Sequence, residues 1–113
     1  MHELSIALSI VEIAEQEVKK NQASSVEKID LEIGRLSGIE PVAMEFALEQ
    51  AVIDTVLAKA VRNIVYIPGR AKCLECGREF KIETIFEECP GCQSYFKDFL
   101  SGKELRVKSL TLV

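Results

Sequence analysis

Residues 73–92 read Cys-Leu-Glu-Cys-Gly-Arg-Glu-Phe-Lys-Ile-Glu-Thr-Ile-Phe-Glu-Glu-Cys-Pro-Gly-Cys, and they contain all four cysteines of the 113-residue chain. The cysteines form two C-x-x-C pairs. Two residues between cysteines allow a tight turn to direct both sulfurs at one point, and two such turns make the closed tetrahedral thiolate site that Zn2+ favours. The sequence therefore predicts a structural zinc site with four ligands: Cys73, Cys76, Cys89 and Cys92.

The residues around the two pairs agree with this interpretation. The twelve residues between the inner cysteines are enough for a short hairpin. We expect Gly77 and Gly91 to occupy positive-φ positions, and Pro90 to stiffen the second turn.

Other roles for four cysteines lead to different chemistry. Residues 1–20 contain four glutamates and no continuous apolar run, so no secretory signal is predicted, and a reducing cytoplasm favours metal over disulfides. A rubredoxin-like iron site uses the same four thiolates and stays open as an alternative. Redox catalysis is disfavoured because four thiolates closed around zinc leave no position for a substrate.

The composition of the chain argues against nucleic acids and membranes as binding partners. Apolar residues are 48% and charged residues 28% of the chain, which is ordinary for a globular domain, and the net charge is −4. Residues 70–104 carry six Lys and Arg against seven Asp and Glu, which argues against phosphate binding. No apolar stretch approaches the roughly 20 residues needed to span a bilayer. We therefore expect a soluble cytoplasmic protein that binds neither nucleic acid nor membrane.

The first half of the chain predicts helix, strand and helix. Residues 4–20 have the period of an amphipathic helix that ends at Asn21. Residues 28–33 alternate as a half-buried strand that stops at Gly34, and a second helix runs from Pro41 to about Lys59. The apolar positions that we expect to face the core in the first helix are Leu4, Leu8, Val11, Ala14 and Val18, widened by Ile6, Ile10 and Ile13.

The second half predicts two more strands around the cysteines. Residues 61–67 form one, and residues 105–108 begin another, in which a shift of the apolar phase indicates a bulge near Ser109. The fold class is α/β, with two helices on a three-stranded sheet and an inserted zinc-ribbon module. The expected domains are 1–69, 70–102 and, as a terminal strand that returns to the first domain, 103–113. The side chains expected around the metal are Phe80, Ile82, Phe86, Tyr95 and Phe96.

The first three residues, Met1, His2 and Glu3, contain the only histidine of the chain. A terminal amine, the imidazole of residue 2 and nearby amide nitrogens can converge on one ion, and such strong-field donors suit tetragonal Ni(II) or Cu(II). The positive end of the following helix disfavours a cation, so these residues would have to lie outside the helix or bind through deprotonated amides. A plain exposed histidine is the alternative.

The Met-His-Glu start, the helix and strand that follow, and the double C-x-x-C near the end of about 113 residues together resemble the HypA family of hydrogenase maturation proteins. The resemblance covers essentially the whole chain. It implies a nickel site at Met1, His2 and Glu3, a structural zinc at the four cysteines, and cooperation with the GTPase HypB. It also implies nickel delivery to a hydrogenase large-subunit precursor and, in some members, a role with urease maturation proteins.

The expected function is therefore a nickel metallochaperone rather than an enzyme. No histidine flanks either cysteine pair, so the nickel site has to be completed by backbone, amine, water, carboxylate or a partner. The exposed side of the first helix, with Ser5, Glu12 and Gln16, is the expected docking face for HypB. The alternative is a zinc-ribbon protein-interaction adaptor without nickel delivery.

Overall fold

The structure, a computed structural model, describes residues 2–113. Within this range the chain forms two helices and six strands, in the order α1 (Glu3–Lys20), β1 (Val26–Gly34), α2 (Pro41–Ala51), β2 (Val61–Ile67), β3 (Gly69–Cys73), β4 (Glu79–Ile82), β5 (Lys97–Ser101) and β6 (Leu105–Leu112). The strands form two three-stranded sheets, ordered β2-β1-β6 and β4-β3-β5. The predicted fold, two helices with a three-stranded sheet and a cysteine module inserted between its second and third strands, is confirmed.

Helix α1 has the predicted extent, but its buried face is rotated from the predicted one. The helix buries Ala7, Ile10, Val11, Ala14 and Val18. Leu4 and Leu8, expected inside, are about half exposed, at 53% and 52%. The eight predicted apolar positions extend around more than half of the helix circumference. Periodicity therefore predicts an amphipathic helix but does not determine which of these positions are buried.

Helix α2 begins as predicted and ends eight residues early. Pro41 occupies its first turn, and the Glu40 side chain accepts hydrogen bonds from the amides of Val42 and Ala43 at 3.3 and 2.7 Å. After Ala51 the chain continues as turns, in which the Thr55 hydroxyl donates to the Val52 carbonyl at 2.7 Å. The predicted extension to Lys59 is wrong because such local side-chain bonds compete with helix formation. The apolar pattern of this segment reported burial only in part. Leu48 and Val52 are buried, whereas Val42, Phe46 and Ile53 are exposed.

The burial pattern of strand β6 changes phase within the strand. Val107 is half-buried, and the next half-buried positions are Leu110 and Leu112. Asp30 accepts a hydrogen bond from Ser109 at 2.8 Å, and Glu32 pairs with Arg106. The predicted phase shift near Ser109 agrees with the burial, and the bulge offered to explain it stays a prediction.

Two compact units divide the chain. One contains the residues up to Leu31 with Ile39–Ile64 and Val107–Val113, and it holds both helices. The other contains Glu32–Gly38 and Val65–Arg106, and it holds all four cysteines. The predicted domain division at residues 70 and 103 stays a prediction. No helix in the described range is sufficiently long and apolar to cross a membrane.

The core of the cysteine unit is small. Strand β3 pairs antiparallel with both β4 and β5, and a bulge lies at Arg70 and Ala71 on the β5 side. The buried cluster consists of Ala71, Cys73, Phe80, Ile82 and Cys89, with Leu36 and Phe99 packed against it. Phe80 and Ile82 are thus confirmed as core residues.

Three of the aromatic side chains expected around the metal are exposed instead: Phe86, Tyr95 and Phe96. The reason is their position. Phe86 lies in the loop between β4 and the second cysteine pair, while Tyr95 and Phe96 lie between that pair and β5. The side chains that face the cluster belong to β3, to β4, and to Cys89, Leu36 and Phe99.

The backbone of Gly34 lies very close to the backbone of residues 102–104, and a substitution at Gly34 tests how much this contact stabilises the protein. Its amide donates to the Glu104 carbonyl at 2.6 Å, and a Cβ at this position would overlap the carbonyl oxygen of Gly102. We expect Gly34→Ala to lower the free energy of unfolding by about 3 kcal/mol or more, because backbone atoms must move apart. Denaturant unfolding of the zinc-loaded protein measures it. Glu27→Ala, an exposed change in the same strand, is the control, and equal midpoints for the two variants would contradict the expectation.

Candidate metal centre

The structure brings the four cysteine sulfurs together. Sγ of Cys73 lies 3.5 Å from Sγ of Cys92, Sγ of Cys76 lies 3.6 Å from Sγ of Cys89, and all four lie within 4.8 Å of one another. A tetrahedral zinc with bonds of about 2.3 Å separates its sulfurs by about 3.8 Å. A disulfide requires about 2.05 Å, so the sulfurs are placed for a metal and not for cross-linking. The four-cysteine group therefore fits structural zinc.

The sulfurs converge because the two pairs fold in the same way. We call residues 73–78 the first knuckle and residues 89–94 the second knuckle. In each knuckle the amide of the first cysteine donates to the carbonyl of the residue five positions later, at 2.8 Å in the first knuckle and 2.9 Å in the second. The carbonyl of the same cysteine accepts a hydrogen bond from the amide four positions later, at 3.0 and 2.9 Å. A backbone amide also donates to the first sulfur of each pair, at 3.4 Å in both knuckles. Each first cysteine is buried and each second cysteine is exposed.

One residue per knuckle adopts a left-handed backbone, directly after the second cysteine. In the first knuckle this residue is Gly77 (φ 79°), as predicted, and in the second it is Gln93 (φ 61°). The prediction that Gly91 has a positive φ is wrong, since Gly91 is not among the positive-φ residues of the described chain. The side chain of Arg78 approaches Gly91 closely instead.

The knuckle backbone also biases the thiols toward the form that binds metal. Hydrogen bonding from the Cys76 amide lowers the pKa of Cys73 to about 6. Hydrogen bonding from the Cys92 amide lowers the pKa of Cys89. At Cys92, hydrogen bonding near Ser94 favours the thiolate, but hydrogen bonds with the other sulfurs and burial outweigh it and raise the pKa to about 12. The metal-free cluster is thus divided between thiolates and thiols at neutral pH.

The predicted nickel residues lie at the start of α1, in the other unit. Met1 falls outside the described residues. His2 is exposed and lies just before the helix with φ −93° and ψ 78°, and its side chain makes no capping hydrogen bond. The Glu3 carboxylate accepts a hydrogen bond from the Glu40 amide at 3.4 Å.

Glu40 is a neighbour of this terminus that sequence reasoning did not identify. It is 37 positions away from Glu3, and only folding brings the two together. The available signal was its position before Pro41, which is typical of a helix N-cap. Among residues 2–113, however, the four cysteines are the only group of three or more His, Cys, Asp or Glu ligand atoms close enough to hold an ion. His2, Glu3 and Glu40 therefore do not form a side-chain metal site.

Comparison with known proteins gives consistent matches along the chain. A family model described as HypA, hydrogenase/urease nickel incorporation, metallochaperone, matches residues 1–112. The hydrogenase maturation factor HypA of Parabacteroides distasonis is 47% identical over 112 residues, covering 99% of this chain and 97% of the relative. That of Geobacter metallireducens is 46% identical over 110 residues, covering 97% of each. The solution structure of the Ni metallochaperone HypA from Helicobacter pylori superimposes with a TM-score of 0.71 at 29% identity, covering 100% of this chain and 98% of that one.

Zinc binding should release protons, and their number reports how many of the four sulfurs are still thiols in the metal-free protein. With Cys73 near pKa 6 and Cys92 near 12, the metal-free cluster at neutral pH already holds some thiolates, so we expect more than one and fewer than four protons per zinc. Affinity should fall as pH decreases through the pKa of Cys73, because that sulfur is then a thiol, which must also lose a proton to bind zinc.

Calorimetric titration of metal-free protein with zinc, in two buffers of different ionisation enthalpy, gives the proton count. A release close to four would show that metal-free thiols have ordinary pKa values. No buffer dependence at all would contradict the raised pKa of Cys92, because its thiol must lose a proton to bind zinc.

Proposed function

The chain belongs to the HypA family, and we propose that it binds Ni(II) at its N-terminus and delivers the ion during nickel–iron hydrogenase maturation. The family consists of nickel metallochaperones and maturation factors for hydrogenase and urease. In this role the protein exchanges ligands on an ion and breaks no bond of a substrate, so we propose that it is not an enzyme.

The observation that carries the proposal is the uncapped start of α1. A helix leaves the N–H groups of its first turn without intrahelical partners, and a capping side chain contributes about 1 kcal/mol by satisfying one of them. Helix α2 has such a cap in Glu40, whereas the His2 side chain provides none for α1. The amides that could serve as metal ligands are thus those that the helix does not use.

The position of His2 before α1 reduces the electrostatic repulsion between a cation and the positive end of the helix. His2 lies outside the helix, with only its carbonyl engaged, accepting from the Ile6 amide at 3.2 Å. Deprotonated amides would offset the positive charge of the helix end and are strong-field donors for tetragonal Ni(II). The imidazole of His2 is exposed and supplies a neutral donor.

Glu3 contributes through its amide in this arrangement. Its carboxylate already accepts from the Glu40 amide, and the Glu40 carboxylate in turn caps α2. The Glu3 carboxylate therefore joins the start of α1 to the start of α2, which leaves the amide of Glu3 as its contribution to nickel.

A second candidate, a zinc-ribbon adaptor without nickel delivery, rests on the exposed aromatic side chains of the cysteine unit. Phe86 and Phe96 are 78% and 69% exposed, and large exposed apolar side chains are typical of protein contacts. This candidate predicts binding of a protein partner that is independent of His2.

We propose HypB as one partner and the outer side of α1 as its docking face, in a cytoplasmic setting. Ser5, Glu12 and Gln16 are all exposed there. Leu4 and Leu8, which periodicity had placed inside, are exposed on α1 as well. Apolar residues flanked by charge are suited to a specific interface.

Nickel binding should depend on His2. We expect zinc-loaded parent protein to bind about one Ni(II) per chain, as one terminal chelate allows, and His2→Ala to bind at least about tenfold more weakly while it keeps its zinc and its helix content. Calorimetry gives stoichiometry and affinity. Because His2 is the only histidine, any imidazole signal in the nickel X-ray absorption spectrum belongs to it.

Glu3→Gln is the matched control because it removes the carboxylate and keeps the amide. Retained binding in this variant supports amide coordination, and its loss would assign the carboxylate as the ligand. Equal nickel binding by parent and His2→Ala, or binding by neither, would reject the terminal site and leave the adaptor function as the better account.

The docking face should respond to charge reversal. We expect the double change Glu12→Lys and Gln16→Lys to weaken the complex with HypB several-fold, since reversed charge at an interface opposes association. The affinity of the two purified proteins can be measured by calorimetry. Glu27→Lys on β1 is the control. A complex unaffected by the double change, with nickel binding intact, would place the interface elsewhere.

A further inference from the structure

The side chain of Arg78 lies against the second knuckle. A Cβ on Gly91 would be 3.2 Å from Arg78 Nη1 and 3.3 Å from its Cδ, so a glycine at this position leaves room for the arginine. The carbonyl of Arg78 accepts from the Cys73 amide at 2.8 Å. One residue therefore contacts both knuckles, the first through its backbone and the second through its side chain.

The guanidinium is close to a buried zinc-ligating sulfur. The same Cβ position on Gly91 is 3.7 Å from Cys89 Sγ. Arg78 Nη1 and Cys89 Sγ are consequently at most about 7 Å apart, which is inside the screening distance at physiological salt. Ser94 occupies the position in the second knuckle that is equivalent to Arg78, so only the first knuckle contributes such a charge.

Among residues 2–113, Arg78 forms no ion pair with a carboxylate. The ion pairs of residues 2–113 engage the cations Lys28, Arg70 and Arg106. Four thiolates around Zn2+ carry a net charge of about −2, and groups around the ligands that offset such charge stabilise the bound metal. Arg78 is thus positioned to offset part of the negative charge of the four thiolates.

We propose that Arg78 is a positioning residue for the zinc centre, and that its guanidinium slows the loss of zinc and its exchange for other thiophilic divalent ions. A cation near a thiolate lowers the tendency of that sulfur to leave zinc for a proton or a competing metal. In a protein that handles nickel, this protection keeps the thiolate site from capturing the transported ion. The inference concerns the zinc site alone and does not depend on where nickel binds.

The test measures zinc release from the folded protein. Zinc-loaded parent, Arg78→Met, Arg78→Lys and Lys81→Met are mixed with an excess of a chromogenic chelator, and the rate of zinc transfer is followed at two salt concentrations. Met keeps the aliphatic stem and removes the charge, Lys keeps the charge, and Lys81 is an exposed cation on β4 that serves as the matched control. Circular dichroism and the zinc content confirm that each variant starts folded and loaded.

We expect Arg78→Met to release zinc about tenfold faster than the parent, Lys to restore most of the difference, and added salt to reduce it. Lys81→Met should release zinc at the parent rate. Equal rates for the parent and Arg78→Met would overturn the proposal. Equal acceleration by Met and Lys would also overturn it, because packing and not charge would then be responsible.

Gly91→Ala provides an independent measurement. The added methyl group displaces the Arg78 side chain without removing its charge, and its backbone does not require a left-handed conformation. We expect faster zinc release in this variant, and no further acceleration when Arg78→Met is added to it. Additive effects of the two changes would contradict a role for Arg78 through its contact with the second knuckle. The same variants incubated with Ni2+ report directly on metal exchange.

Discussion

Convergence of four sulfurs on one point is the constraint on which the cysteine unit depends. Its apolar cluster contains five buried residues, two of which are cysteines. So small a core cannot offset the conformational entropy of the 49 residues in this unit, and a structural zinc contributes on the order of 10–16 kcal/mol of apparent binding free energy. The two knuckles, their strands and the contact of Arg78 with Gly91 all serve to bring those sulfurs together.

The two helices of the other unit differ in how the amides of their first turns are satisfied. Helix α2 follows the usual chemistry of a helix terminus, with an accepting side chain at Glu40 and a proline in the first turn. Helix α1 lacks a side-chain cap at His2. Departures from local preference that are not compensated nearby are expected at functional sites, and in this chain the departure coincides with the residues whose donors suit nickel.

Three predictions made from the sequence pattern were wrong: the buried side of α1, the end of α2 and the conformation of Gly91. Leu4 and Leu8 satisfied the helical period and are exposed, while Ala7 is fully buried. Residues 52–57 satisfied the same period without forming a helix, because the polar side chain of Thr55 bonds to the local backbone. Gly91 was assigned a positive φ that it does not adopt, and the side chain of Arg78, 13 positions away, approaches it closely. The failures therefore have two sources: a local side-chain hydrogen bond at Thr55, and packing against distant residues at α1 and Gly91.

The sequence alone determined the features that rest on local chemistry. The spacing of the cysteines specified the ligand set, because each C-x-x-C turn is built from a few consecutive residues. The alternation of β1 and the start of each helix followed from short-range preferences, and so did the change of phase along β6. The tertiary structure decided which edge of α1 is buried, that Glu40 lies beside Glu3, and that Arg78 reaches the second knuckle. Those contacts join distant residues, and their geometry is set by how elements pack, which no local pattern encodes.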